Sequence, residues 1–422
     1  MKVLVVGSGG REHALGWALA RSATVDAVAA APGSPGLAAL GECLPLDDAL
    51  AQVESYDLVV VGPEVPLVAG LADDVRARGV PVFGPAKAAA HLEGSKAWMK
   101  EVLTAAGVPT ARHRSFTASE EAEALAYLET LPGLYVVKTD GLAAGKGVLV
   151  TEDLAAARDA VRAYLAGEAF GDAGRTLVIE EGLAGPELSL LVLCDGSLTG
   201  VPLAPAQDFK RIGDGDTGPN TGGMGAYSPV PAASERLVDE IMDTAIAPTL
   251  AELRRRGIEY RGVLYAGLML TPSGPRIIEY NVRFGDPECQ VVVPRLASDL
   301  ATHLLEAATG RLTTPVEFRS DACVTVVLAS EGYPASPRTG DPIEGLDAAG
   351  ALDDVILFHA GTARDGDKTV TAGGRVLDVT ALGPTIEAAR ERAYAAADLI
   401  SWPGRYLRRD IAGQPTRTLE ST

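Results

Sequence analysis

The run Pro275–Glu288, PRIIEYNVRFGDPE, constrains this chain more than any other stretch. Ile277 and Ile278 predict a buried strand that ends in polar groups. Side chains two apart on a strand share a face, so Glu279, Asn281 and Arg283 are expected to project the same way. A carboxylate beside a side-chain amide is an oxygen donor pair suited to a hard cation such as Mg²⁺, whose remaining positions go to water and substrate phosphates. Arg283 adds a fork of donors for a carboxylate or phosphate next to that metal. Taken alone, the same pattern also describes a strand end carrying a surface ion pair.

The length of 422 residues leaves room for roughly three domains at ~150 residues each. A formal net charge of −19 opposes nonspecific attraction to nucleic acid or to anionic membrane, so phosphate binding has to be local. Cys43, Cys194, Cys289 and Cys323 are scattered without a paired motif. They read as reduced thiols of a cytoplasmic protein and suggest neither zinc nor disulfides. The apolar run at the start is too short for a signal peptide, and no later run approaches the ~18 apolar residues of a membrane span.

Lys2–Val6 predicts a strand, Gly7–Gly10 a tight turn and His13–Ala20 a helix start, the opening of a doubly wound α/β domain. A dinucleotide fingerprint needs glycine where Glu12 stands, and no ribose-binding acid follows the second strand, so a nicotinamide cofactor is not expected. The backbone of Gly9 and Gly10, flanked by Arg11, Glu12 and His13, can still cradle a smaller phosphate. The same turn could equally serve only to pack helix on strand. DLVVVG at 57–62 is another buried strand, ending at the Pro63–Pro66 loop, and Pro81–Phe83 a further one. A domain boundary is expected between Pro85 and Ser95, with Ser95 capping a helix Lys96–Ala106 that ends at Gly107.

LYVVK, ending at Lys138, is followed by a glycine loop containing Gly141, Gly145, Lys146 and Gly147 and then by a second strand. This is a hairpin flap and not a Walker A loop, which has four residues between its glycines and a Ser or Thr after its lysine. Its N–H groups could close over phosphates while Lys138 and Lys146 neutralise them. TLVIEE ends in Glu180 and Glu181. The loop after it offers backbone groups and Leu183 to an adenine, and Glu187 to ribose hydroxyls, although two solvated carboxylates would read the same. The segment 201–228 is too long and polar for a plain connector, and Asp208, Lys210 and Arg211 favour substrate binding there. A helix Ser234–Arg256 is expected to kink at Pro248. The region from Ala322 reads as strands plus a final helix Ile386–Ile400, a third domain without a catalytic constellation, in which His359 is structural.

These stretches occur in the order of the ATP-grasp enzymes, and GSGGREHAL, LEGSKAWMK, KTDGLAAGKGV, EEGLAGPELS, GPNTGGMGAYSP and NVRFGDPE closely resemble the phosphoribosylamine–glycine ligases (glycinamide ribonucleotide synthetases) of purine synthesis. The resemblance covers nearly the whole chain. It implies an α/β fold with an N-terminal doubly wound domain over 1–100, an ATP-grasp domain over 101–320 with a mobile lid near 118–190, and a small C-terminal α+β domain over 321–422. It also implies a monomeric cytoplasmic ligase joining glycine to 5-phosphoribosylamine with ATP and Mg²⁺ or Mn²⁺. The alternative is another ATP-grasp carboxylate–amine ligase of purine metabolism.

Carried residue by residue, the resemblance puts Lys96 and Lys138 on ATP phosphates beneath the flap, Glu180–Leu183 on adenine and Glu187 on ribose. Glu279 and Asn281 become the metal ligands. Arg283 and Asp208 take the glycine carboxylate and ammonium, and Gly9–His13 with Lys210, Pro219 and Asn220 the ribosylamine side. Three departures stand out. Thr139 replaces an expected alanine, Phe209 stands where relatives often have histidine, and LYAGLML offers no third metal carboxylate.

Overall fold

Val3, Leu4, Val5 and Val6 are all buried, and alternate residues serve different cores. Leu4 and Val6 pack with Val59 and Val61, while Val3 and Val5 pack with Leu15, Leu19 and Val60 on the opposite face. A strand covered on both faces belongs inside a parallel sheet. Five strands form that sheet in the order Glu42–Cys43, Ala27–Pro32, Lys2–Gly7, Leu58–Val61 and Val82–Phe83. All pair in parallel, as a doubly wound domain requires. The computed structural model describes residues 1–142, 147–167 and 175–413.

The turn after the first strand is shaped by Glu12. A Cβ on Gly7, which sits at φ +129°, would meet the Glu12 side chain at 2.5 Å, and one on Gly62 would meet it at 2.1 Å. The Glu12 carboxylate folds back to accept from Gly9 N at 2.6 Å. Where a dinucleotide fold places a third glycine, this chain fills the turn with a carboxylate.

A second layer is the antiparallel sheet of His113–Thr117, Thr176–Glu181, Tyr135–Thr139 and Val148–Thr151, in that order. Helices Glu121–Leu128 and Leu154–Leu165 give it a separate small core with Phe116, Val137, Leu128, Val161 and Ile179. Facing it is a third sheet: Val201–Pro202, Glu187–Asp195, Arg261–Thr271 and Gly274–Asn281. The last two strands form an antiparallel hairpin whose register shifts between Gly267 and Leu268, opposite Ile277 and Glu279. A bulge of this kind bends the strand and re-aims the residues beyond it.

Gln207–Asp208 and Gly225–Ser228 join Ala322–Ala329, Arg375–Gly383 and Val355–His359 in a further sheet, so the polar 201–228 segment is stitched into the C-terminal layer. The segment expected to kink at Pro248 runs as helix Glu235–Ile241, a π turn Met242–Ile246, and helix Ala247–Arg255, with the proline just after the π turn.

Candidate active site

The end of strand Gly274–Asn281 opens on a cleft of about 740 Å³ between the two antiparallel sheets. Glu279, Asn281 and Arg283 all line it, together with Lys96, Lys138, Glu180 and Gly147. Three features position the lysines. Ser95 Oγ caps its helix by accepting from Trp98 N at 3.0 Å and donates to Asp140 Oδ1 at 2.9 Å, while Ala97 N donates to the same oxygen at 2.7 Å. This ties the first turn of the helix to the residue after Lys138's strand, and Lys96 Nζ donates to Gly141 O at 3.3 Å. Lys138 Nζ forms an ion pair with Glu180 Oε1 at 3.0 Å and donates to the carbonyl of Ile278, beside the bulge, at 3.2 Å.

Glu279 sits among cations. Burial pushes its carboxyl up, but Lys210, Lys138, Lys96 and Arg283 outweigh that and hold it below the usual range, ionised. Asn281 Oδ1 accepts from Arg283 Nη2 at 3.1 Å. An ionised carboxylate and an amide oxygen on one face are hard donors that fit Mg²⁺ or Mn²⁺, with water and phosphate completing the shell. Among the described residues no group of three or more His, Cys, Asp or Glu could hold a metal ion.

Arg283 is caged more tightly than its sequence suggests. Its Nη2 lies 3.0 Å from Glu93 Oε1, its Nε 3.3 Å from Glu64 Oε2, and its Nη1 donates to Phe284 O at 3.2 Å. Three of its nitrogens thus have protein acceptors, leaving one Nη1 hydrogen for a ligand.

On the floor, Lys210 Nζ bridges Glu187 Oε2 at 2.9 Å and Glu279 Oε1 at 3.9 Å. Burial raises the Asp208 carboxyl well above its ordinary value against the pull of Lys210, with Glu288, Glu187 and Glu279 adding to the rise. Glu187, Asp208, Glu279 and Tyr265 overcome burial to keep Lys210 protonated. Glu181, Leu183 and Glu187 line the adjoining part of the cleft, where a nucleoside was expected.

The N-terminal residues divide. Arg11 lines the cleft and is paired to Glu12 at 2.5 Å, Asn220 lines it too, and Gly9 lies beside the cleft residue Asp286. Gly10 faces elsewhere, against Asp378 and Gln290. His13 departs from the expected phosphate cradle. It is buried at the seam with the C-terminal layer, where its Nδ1 accepts from His359 N at 2.8 Å and its ring meets Phe358 edge-on at 5.5 Å. Burial first, and His359 second, lower it to about 3, so it is neutral and offers no charge to a phosphate. Pro219 lies in the hairpin of Arg211–Gly213 with Thr217–Asn220 and does not line the cleft. Gly145 and Lys146 lie outside the described residues.

Sequence reasoning missed Glu64, Glu93, Lys100, Asp286 and Arg375. Arg375 belongs to the C-terminal layer, which was expected to take no part in the site, yet it lines the cleft and pairs with Asp286 Oδ2 at 3.1 Å. Lys100 had a readable signal, since it follows Lys96 by one helical turn on the same face.

Comparison with known proteins agrees with this architecture. A phosphoribosylamine–glycine ligase of Streptomyces coelicolor is 52% identical over 98% of this chain and 99% of its own length. One from Mesorhizobium japonicum is 49% identical over 98% of both chains. The crystal structure of the Thermotoga maritima phosphoribosylamine–glycine ligase superposes with a TM-score of 0.85 at 37% identity, covering 97% of this chain and 100% of that one. A biotin carboxylase–β,γ-ATP complex from Campylobacter jejuni shares the fold at 15% identity, with a TM-score of 0.71 over 96% of this chain and 92% of its own. Residues 1–93, 94–289 and 323–414 match, in turn, the N, ATP-grasp (A) and C domains of phosphoribosylglycinamide synthetase, and the chain belongs to that family of ATP-dependent ligases.

Proposed function

We propose that this chain joins glycine to 5-phosphoribosylamine, converting ATP to ADP and phosphate and releasing glycinamide ribonucleotide. A carboxylate is a poor electrophile. Transfer of the γ-phosphoryl group to a glycine carboxylate oxygen gives glycyl phosphate and ADP. The ribosylamine nitrogen then attacks the glycyl carbonyl, loses a proton and expels phosphate. Such chemistry needs positioning and charge neutralisation more than covalent help from the protein.

The observation that carries this reading is the cleft itself, where Glu279, Asn281 and Arg283 at one strand end face Lys96 and Lys138 across the gap. In this reading the two lysines neutralise the triphosphate, the backbone of Glu180 to Leu183 holds the adenine and Glu187 the ribose. Gly141 and Gly147 lie on the phosphate side. Glu279 and Asn281 hold Mg²⁺ or Mn²⁺, which when bound offsets phosphate charge and orients the transferring group. The remaining Arg283 hydrogen receives the glycine carboxylate, and Asp208 its ammonium. Arg11, Asn220 and Lys210 face the ribosylamine, with Gly9 behind them. No helix among the described residues is long and apolar enough to cross a membrane. We take the enzyme to act in the cytoplasm as a monomer.

The test is ADP release with glycine or phosphoribosylamine omitted in turn. Both should be required for sustained turnover. Full ADP release without glycine, or with another carboxylate in its place, would point to a different ATP-grasp carboxylate–amine ligase.

A further inference from the structure

Lys100 is the cation that the proposed chemistry leaves without a task. It lies on helix Lys96–Ala106, is 1% exposed, and does not line the cleft. Its Nζ bonds Glu180 Oε2 at 3.0 Å and donates to Thr110 Oγ1 at 2.7 Å. Thr110 Oγ1 donates in turn to Ile277 O at 2.6 Å. On the other side of the same carboxylate, Lys138 Nζ holds Glu180 Oε1 at 3.0 Å and Ile278 O at 3.2 Å. The result is a belt running Lys138, Glu180, Lys100, Thr110 and back to the strand that carries Glu279.

Charge is what makes the belt more than packing. Two ammonium groups share one carboxylate, so the cluster carries a net positive charge. Without Lys100 the buried Glu180 would have Lys138 as its one cation. Drawing Lys138 toward a triphosphate would then leave a carboxylate stranded in a low-dielectric interior, which is among the costlier things a protein can do. We propose that Lys100 is a positioning residue that neutralises Glu180 so that the charge of Lys138 is free for the triphosphate. The proposal rests on the reading of Lys138 as a phosphate-binding residue.

The experiment measures binding of ATP with Mg²⁺ by calorimetry in the absence of glycine, together with KM for ATP and for glycine. Lys100→Met should weaken ATP binding by about tenfold or more while leaving the glycine KM within about twofold. The double variant Lys100→Met/Glu180→Gln restores the original net charge and should recover ATP affinity to within about threefold of wild type. A residue that merely packs would show no such recovery. Wild-type ATP affinity in Lys100→Met, or no recovery in the double variant, overturns the proposal. Should Lys100→Met not fold, Lys100→Gln alone and with Glu180→Gln carries the same expectation. Lys138→Met separates the two levels: unchanged ATP binding there removes the reading of Lys138 itself, whereas weakened binding there beside a normal Lys100→Met removes the role given to Lys100.

Discussion

Arg283 Nη2 lies 3.0 Å from Glu93 Oε1, a contact between the strand-end motif and the last turn of the helix Lys87–Gly94. Glu93 also accepts from Val282 N at 2.8 Å, so it fixes both the backbone and the guanidinium of this motif. An arginine so held costs little conformational entropy when a ligand arrives, because its planar fork is already oriented. Arg283→Ala should therefore raise the KM for glycine by about thirtyfold, the equivalent of a charge-assisted hydrogen bond worth about 2 kcal/mol. Steady-state kinetics with varied glycine at saturating ATP checks this, and an unchanged glycine KM would rule the role out.

Glu279 is kept ionised by four surrounding cations, three of which are lysines, and this decides what its loss should do. Glu279→Ala removes the one carboxylate of the proposed metal pair and leaves Lys210, Lys138 and Lys96 to repel any divalent ion. We expect turnover at ordinary Mg²⁺ to fall by at least about a hundredfold. Calorimetric titration of Mn²⁺ in the presence of ADP should show the metal-dependent heat lost as well. Near-normal turnover would mean that the metal is held elsewhere.

What could be read in advance was whatever depends on neighbours in sequence. The apolar runs gave buried strands, Ser95 gave a helix cap and Gly107 a helix end at φ +67°, and the alternation Glu279, Asn281, Arg283 gave one shared face. Residues that matter through tertiary pairing left no local trace. Glu93 and Glu64 reach Arg283 from separate helices, and Arg375 reaches the cleft from the C-terminal sheet. His13 looked like part of a phosphate cradle because it follows a glycine turn, yet a helix of 3.6 residues per turn rotates it away from Arg11 and toward His359.

Asp208 supplies a pH dependence whose direction can be worked out. Burial raises its carboxyl well above the ordinary range, so it stays protonated to a higher pH than a solvated aspartate would. A glycine ammonium is held well only by the ionised form. The KM for glycine should accordingly fall as pH rises through the raised value, and then level off. Asp208→Asn should raise the KM and flatten that limb of the profile. A glycine KM whose pH profile is the same in wild type and Asp208→Asn would show that this carboxyl does not face the ammonium.

His13 predicts how the seam between the N-terminal and C-terminal layers responds to acid. Burial lowers it from 6.5 to about 3, and His359, whose N–H it accepts, is lowered to about 4, again mainly by burial. Both are bases whose folded values are depressed, so in the interval below 6.5 the unfolded chain binds protons that the folded chain refuses. Their contribution to stability is complete above about pH 6.5 and is lost as pH falls toward the folded values. At pH 5 the loss from His13 alone is on the order of 2 kcal/mol. His13→Gln keeps an acceptor for the His359 N–H but cannot titrate. Urea unfolding at pH 7.5 and pH 5 should therefore show a smaller drop in stability for the variant than for the wild-type chain. Equal drops in the two proteins would mean that His13 is solvated enough to protonate in the folded state and that the seam is looser than the structure has it.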